Sequence, residues 1–144
     1  MERVDYLDTF IAVADDCPVA EGTPPPVKGD NPSVAASTYR MIAEHPYKYT
    51  SGDVLFTVFA DRRGIPAEQR ATARAEFYSK GQPCLRSSDL GKRYGWGIHA
   101  DAYGRLALYG AETPAYAQFV GRQRSDSGEP VTLTRAMRNS RTKR

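Results

Sequence analysis

Eighteen residues, Gln82 to His99, hold most of the side chains in this chain that could do chemistry. They include a thiol, Cys84, three cations, Arg86, Lys92 and Arg93, and two hydroxyls, Ser87 and Ser88. Gly95 and Gly97 flank the only tryptophan, Trp96, and His99 closes the stretch. Arg86, Lys92 and Arg93 around Ser87 and Ser88 suit a carboxylate or phosphate. Arginine offers a planar fork, lysine a point charge, and hydroxyls and loop amides add donors. The competing reading is a set of solvated loop charges, or an Arg86 paired with Asp53 or Asp89. Tyr94 and Trp96 could lay an aromatic plane against a ligand, with the glycines allowing close approach. The alternative is that Trp96 is the core tryptophan of a small domain. Cys84 and His99 form a nucleophile–base pair on paper, since cations beside a thiol favour the thiolate. A buried structural thiol is the commoner case. Cys17, before Pro18, is a weaker candidate. Cys17, His45, Cys84 and His99 make a nominal zinc set, but no two have the close spacing of a zinc knuckle. No metal and no cofactor is expected. Glycine-rich nucleotide loops, nucleophile elbows and Asp-rich metal loops are absent from the sequence.

These side chains need elements to hold them. Thr9 to Ala14 is a short apolar run, expected as a central strand covered on both faces. Residues 18–31, with Pro24-Pro25-Pro26, form a surface-wrapping loop. Asn31 as N-cap and Pro32 at the first position open a helix with Ala35, Tyr39 and Ile42 inward, ending before Pro46. His45 suits that helix's negative end. Thr50 and Asp53 form a capping box for the segment 51–63. Its composition favours a strand, but its apolar positions Val54, Leu55, Val58 and Phe59 and the closing Gly64 favour a helix. Pro66 begins a third helix to about Lys80, with Ala67, Ala71, Ala75 and Tyr78 inward and Arg70 and Arg74 on a solvated face. After a loop over 82–94, residues 95–100 and 106–109 form a hairpin around the Asp101–Gly104 turn. Thr113-Pro114 caps a short helix with Tyr116, Phe119 and Val120 inward. Val131 to Thr134 is a last, edge strand. The order β-α-α-α-β-β-α-β is an α+β class: a small, mostly antiparallel sheet with helices on one side.

Composition bounds the function classes. At 144 residues, 40% of them hydrophobic and 26% charged, the chain is expected to be one domain, residues 1–137, with a basic flexible tail at 138–144. The net charge is +3, yet Arg135 to Arg144 carry five basic residues and no acid, leaving 15 basic against 17 acidic residues elsewhere. The tail alone suits nucleic acid, and a general nucleic-acid face is not expected. No apolar run approaches the roughly 20 residues of a membrane span. No basic leader precedes the first apolar run, and the two cysteines fit free thiols in a reducing, cytoplasmic setting.

Several short pieces resemble an uncharacterised bacterial family of small cytosolic proteins, grouped as a domain of unknown function. They are Asp16-Cys17-Pro18, Pro46-Tyr47-Lys48-Tyr49-Thr50, Cys84-Leu85-Arg86-Ser87-Ser88, Tyr94-Gly95-Trp96-Gly97-Ile98-His99 and Ala136-Met137-Arg138. The resemblance spans Asp8 to Arg138 and departs at Asp89, where the family pattern more often has proline. It implies no activity. Lys92 to Tyr109 is also similar to a hairpin of the competence-regulator and YjbR type, an analogy of fold that implies no function.

Three readings follow. The leading one is binding of a small anionic ligand in a cleft between the 82–94 loop and the Trp96 hairpin, through Arg86, Ser87, Ser88, Lys92, Arg93, Tyr94, Trp96 and His99. The second is an enzyme using Cys84 or His99 in that cleft. The third is an interaction module acting on nucleic acid or protein through the basic tail. A homodimer is compatible with all three, and none needs a membrane.

Overall fold

The computed structural model describes residues 2–27, 29–122, 128 and 130–140. Its sheet has the strand order β3-β2-β1-β4: β1 (Thr9–Ala12), β2 (Trp96–Ala100), β3 (Leu106–Gly110) and β4 (Thr132–Arg135). The helices are α1 (Val34–Glu44), α2 (Ser51–Arg63), α3 (Arg70–Tyr78), α4 (Asp89–Lys92) and α5 (Pro114–Arg122). The class is α+β, with the element order read from the sequence and one short helix, α4, added before β2. β1 runs antiparallel to β2, and β2 to β3, while β4 adds to β1 in parallel. Among the described residues, no helix is long and apolar enough to cross a membrane.

The alternation of side chains along β2 divides the molecule. Ile98 and Ala100 enter a core with Ile11, Leu106, Ile42 of α1, Val54 and Val58 of α2, and Leu90 of α4. Phe10 and Ala12 face the other way, against Phe119 of α5 and Val131. Phe10 stacks on Phe119 with ring centroids 4.4 Å apart. Helices therefore cover both faces, which corrects the expectation of helices on one side. The physical reason lies in β1 itself: consecutive apolar residues, Phe10, Ile11 and Ala12, leave neither face fit for water. Gly97 belongs to this second face, because a Cβ there would overlap the rings of Phe10 and Tyr116.

Local signals set most boundaries. Thr50 and Asp53 make the reciprocal capping box, and Gly64 closes α2 at a φ of 64°. The segment 51–63 is thus a helix. α1 starts later than expected, at Val34, because the Ser33 hydroxyl accepts from the Ala36 amide and takes the cap expected of Asn31. Pro66 leads into a 3-10 turn at Ala67–Gln69 before α3 begins. None of the residues of α3 is buried, and Ala67, Ala71 and Ala75 face solvent. Its inward side is Arg74 and Phe77 instead of the alanines, together with Tyr78 as expected. Arg74 bridges Glu2 at 2.7 Å and Asp53 at 2.9 Å, so it is not on a solvated face. Two acids near the start of α2 outweigh the small apolar area that three alanines offer.

The 18–31 loop wraps the surface as expected. Trp96 Nε1 donates to the Thr23 carbonyl, and the Gly22 amide donates to Glu112. Asn139 and Ser140 are tied to the body of the fold. Asp16 accepts from the Asn139 amide at 2.6 Å and from the Ser140 amide at 3.0 Å, within the segment expected as a flexible tail over 138–144. Residues 141–144 lie outside the described residues.

Candidate ligand cavity beside Cys84

The segment after α3 is not a plain loop. Cys84 is extended, Leu85–Ser87 form a 3-10 turn, and Ser88 caps α4 by accepting from the Leu90 amide. Leu85 and Leu90 plunge into the core, with 2% and 0% of their surface exposed. These two anchors leave Cys84, Ser87, Ser88 and Asp89 beside a cavity of about 260 Å3. Its other walls come from Val34, Ala35 and Thr38 of α1, Leu55 of α2, Phe77 of α3, and Gln82, Pro83 and Leu85. Gln82 is fixed by donating its side-chain amide to the Phe77 carbonyl. Most of this wall is hydrocarbon, with a few polar groups at one side, as small-molecule sites usually are.

Cys84 also lines a second cavity, of about 560 Å3, with Glu2, Arg3, Tyr78 and Lys80 among its walls. The thiol hydrogen-bonds with the Tyr6 hydroxyl at 3.1 Å. Burial, and then that bond, push the Tyr6 phenol up to about 12. Cys84 and Cys17 are both free thiols.

The structure brings together only part of the expected site. Ser87, Ser88 and Cys84 line the smaller cavity; Arg86, Lys92, Arg93, Tyr94, Trp96 and His99 are not among the described residues that do. Arg86 donates through Nε to the Arg135 carbonyl at 2.7 Å, pairing with neither Asp53 nor Asp89. Ser87 donates to the Met137 sulfur, and Arg93 lies over the Tyr94 ring. Trp96 packs against Tyr39 of α1. His99, three residues further along β2, points to the opposite face and is 5% exposed. There its Nδ1 hydrogen-bonds with the Tyr47 hydroxyl at 2.7 Å, which in turn hydrogen-bonds with the Tyr109 hydroxyl at 2.7 Å. The period of two that defines a strand thus separates Trp96 from His99 and also removes Cys84 and His99 as a dyad. Among the described residues, no three His, Cys, Asp or Glu side chains come together as a metal site. Two of the tail's cations are engaged: Arg135 with Asp15 and the Val13 carbonyl, and Arg138 with Asp16 at 3.9 Å.

Tyr6, Leu55, Phe77 and Gln82 were not singled out as site residues from the sequence. Tyr6 meets Cys84 across 78 residues of chain, a juxtaposition that no local pattern announces. Leu55 carried a signal only as part of the apolar stripe of α2.

The family described as "Family of unknown function (DUF6157)" matches residues 1–142. The chain belongs to this family. For this DUF6157 protein, no curated protein and no solved structure gives a match. The family assigns no activity, so any functional reading of the DUF6157 chain rests on its own geometry.

Proposed function

We propose that this protein binds a small molecule in the 260 Å3 cavity between α1, α3 and the 82–89 segment. The observation that carries the reading is the composition of the wall. Hydrocarbon from Val34, Leu55, Phe77 and Leu85 faces Cys84, Ser87, Ser88 and Asp89 across one space. Apolar walls supply affinity by burial, and the few polar groups fix orientation. The volume lies just under the roughly 300–1,000 Å3 of drug-sized sites, which favours a compact metabolite. The cleft expected between the loop and the Trp96 hairpin has no such support, since Arg86 donates to the Arg135 carbonyl and none of Arg86, Lys92, Arg93, Tyr94, Trp96 and His99 lines this cavity. The anionic class therefore becomes one arm of the test rather than its premise.

A second reading, in which the bound molecule reacts at Cys84, draws on the Tyr6 hydroxyl held against the thiol. A phenol at that distance can donate to a thiolate or return a proton to a leaving group.

The experiment is a thermal-shift screen of metabolites in three charge classes, with Leu55→Trp as the variant that fills the cavity. A ligand that binds the native state raises the melting temperature by mass action. The expected result is a shift in the wild type that is lost in a folded Leu55→Trp. A shift retained in Leu55→Trp would place binding elsewhere and end the proposal. Binding retained by Cys84→Ser, with loss of any conversion of the ligand, would favour the second reading.

A further inference from the structure

We infer that the ligand of this cavity carries a positive charge on an otherwise apolar body: an organic ammonium received by Asp89. The inference rests on the proposed function and narrows its ligand class. Asp89 is the only charged residue among the described residues that line the cavity. Its carboxylate takes no ion pair or side-chain hydrogen bond among the described residues. Of the nearby cations, Arg86 contacts the Arg135 carbonyl and Arg93 lies over the Tyr94 ring, and Lys92, three residues on, makes no ion pair with Asp89 among the described residues.

A carboxylate beside a space walled by Val34, Leu55, Phe77 and Leu85 sets a condition on what can fill that space. A neutral apolar ligand would strip water from the carboxylate and return nothing, leaving a charge unpaired in a low-dielectric site. An anion would add repulsion to that cost. An ammonium group offsets the lost hydration by pairing with the carboxylate. The Phe77 ring lines the same space, and the hydrocarbon walls take the ligand's body. Ser87, Ser88 and Gln82 offer oxygens to the remaining ammonium hydrogens.

The test uses the full chain and fluorine NMR with three probes of nearly equal shape: para-fluorobenzylamine, para-fluorobenzyl alcohol and para-fluorobenzoate. The amine should bind at least about tenfold more tightly than the alcohol, with the benzoate weakest. In Asp89→Asn the amine should lose that advantage while the alcohol binds as before, which also reports an intact cavity. Asp89→Ser serves as the second variant, since a short polar side chain still suits the start of α4. Arg86→Ala should keep the wild-type ranking. Amine and alcohol binding alike, or benzoate binding most tightly, with all binding lost in Leu55→Trp, would overturn the cationic ligand and leave the cavity reading standing. No binding of any probe would overturn both.

Discussion

Two consecutive helices, α2 and α3, are held in opposite ways. α2 buries six residues, Val54, Phe56 and Val58 among them, and carries a reciprocal cap at one end and a left-handed glycine at the other. α3 buries none. It is held by polar contacts: Arg74 to Glu2 and Asp53, Arg70 to Asp61 at 2.8 Å, and the Tyr78 hydroxyl donating to the Gly52 carbonyl at 2.7 Å. Only Phe77 adds a substantial ring contact, 4.5 Å between centroids from Phe59. Hydrocarbon burial is not screened by salt and changes little with pH. Charge pairs and phenols are sensitive to both. The helix that closes one side of the proposed ligand cavity is therefore the one whose hold depends on the solution around it.

The difference is testable by truncation on each side. Phe56→Ala removes a buried ring from α2 and should cost about 3–5 kcal/mol in global stability, read as a shift of the denaturant midpoint. A loss under about 1 kcal/mol would mean that α2 is not held by burial. Arg74→Ala should cost less, about 1–2 kcal/mol, because the guanidinium is a third exposed and part of its pairing is screened. Its signature lies elsewhere. Amide exchange should speed up in α3 and not in α2, and high salt should move the wild type towards the variant. Equal acceleration in both helices would dissolve the contrast.

The third and smallest effect is alkaline. Burial pushes the Tyr78 phenol from 10.0 up to about 12. A folded value above the unfolded one means that this contribution is fully present below pH 10. It is lost as the pH rises from 10 towards 12, because the unfolded chain ionises first. Tyr6 titrates in the same sense. Stability should therefore fall across that window, and Tyr78→Phe should fall less steeply. Parallel curves for the two proteins would show that α3 does not gain from the neutral phenol.

The same contrast explains what the sequence disclosed. α2 was legible because its signals are local: Thr50 three residues before Asp53, apolar positions at helical spacing, Gly64 at the end. The hairpin turn and the central place of β1 were legible for the same reason. The inner face of α3 was not, because the partners that turn Arg74 inward, Glu2 and Asp53, lie in other segments. The site divides likewise. Ser87 and Ser88 were singled out by their types, and they line the candidate cavity. Arg86 lies away from it because its Nε donates to a carbonyl 49 residues away. Trp96 and His99 were grouped by closeness in sequence, although alternation along a strand argues that an even and an odd position part company. Asp89 was weighed as a partner for Arg86 and as a departure from the family pattern, not as a ligand residue, and its place in the cavity wall depends on how α1 and α4 meet.

The strand order has a consequence for how the chain is made. β1 lies near the amino terminus and in the interior of the sheet, between β2 and β4. Both of those neighbours are synthesised from residue 96 onwards. As the polypeptide leaves the ribosome, this apolar strand has no sheet partner until residue 96 and those after it have been made. The sheet must then close around it through contacts distant in sequence, a slow kind of assembly. Throughout that interval Thr9–Ala12 is the segment most in need of shelter by a chaperone, and the most prone to pair with another nascent copy.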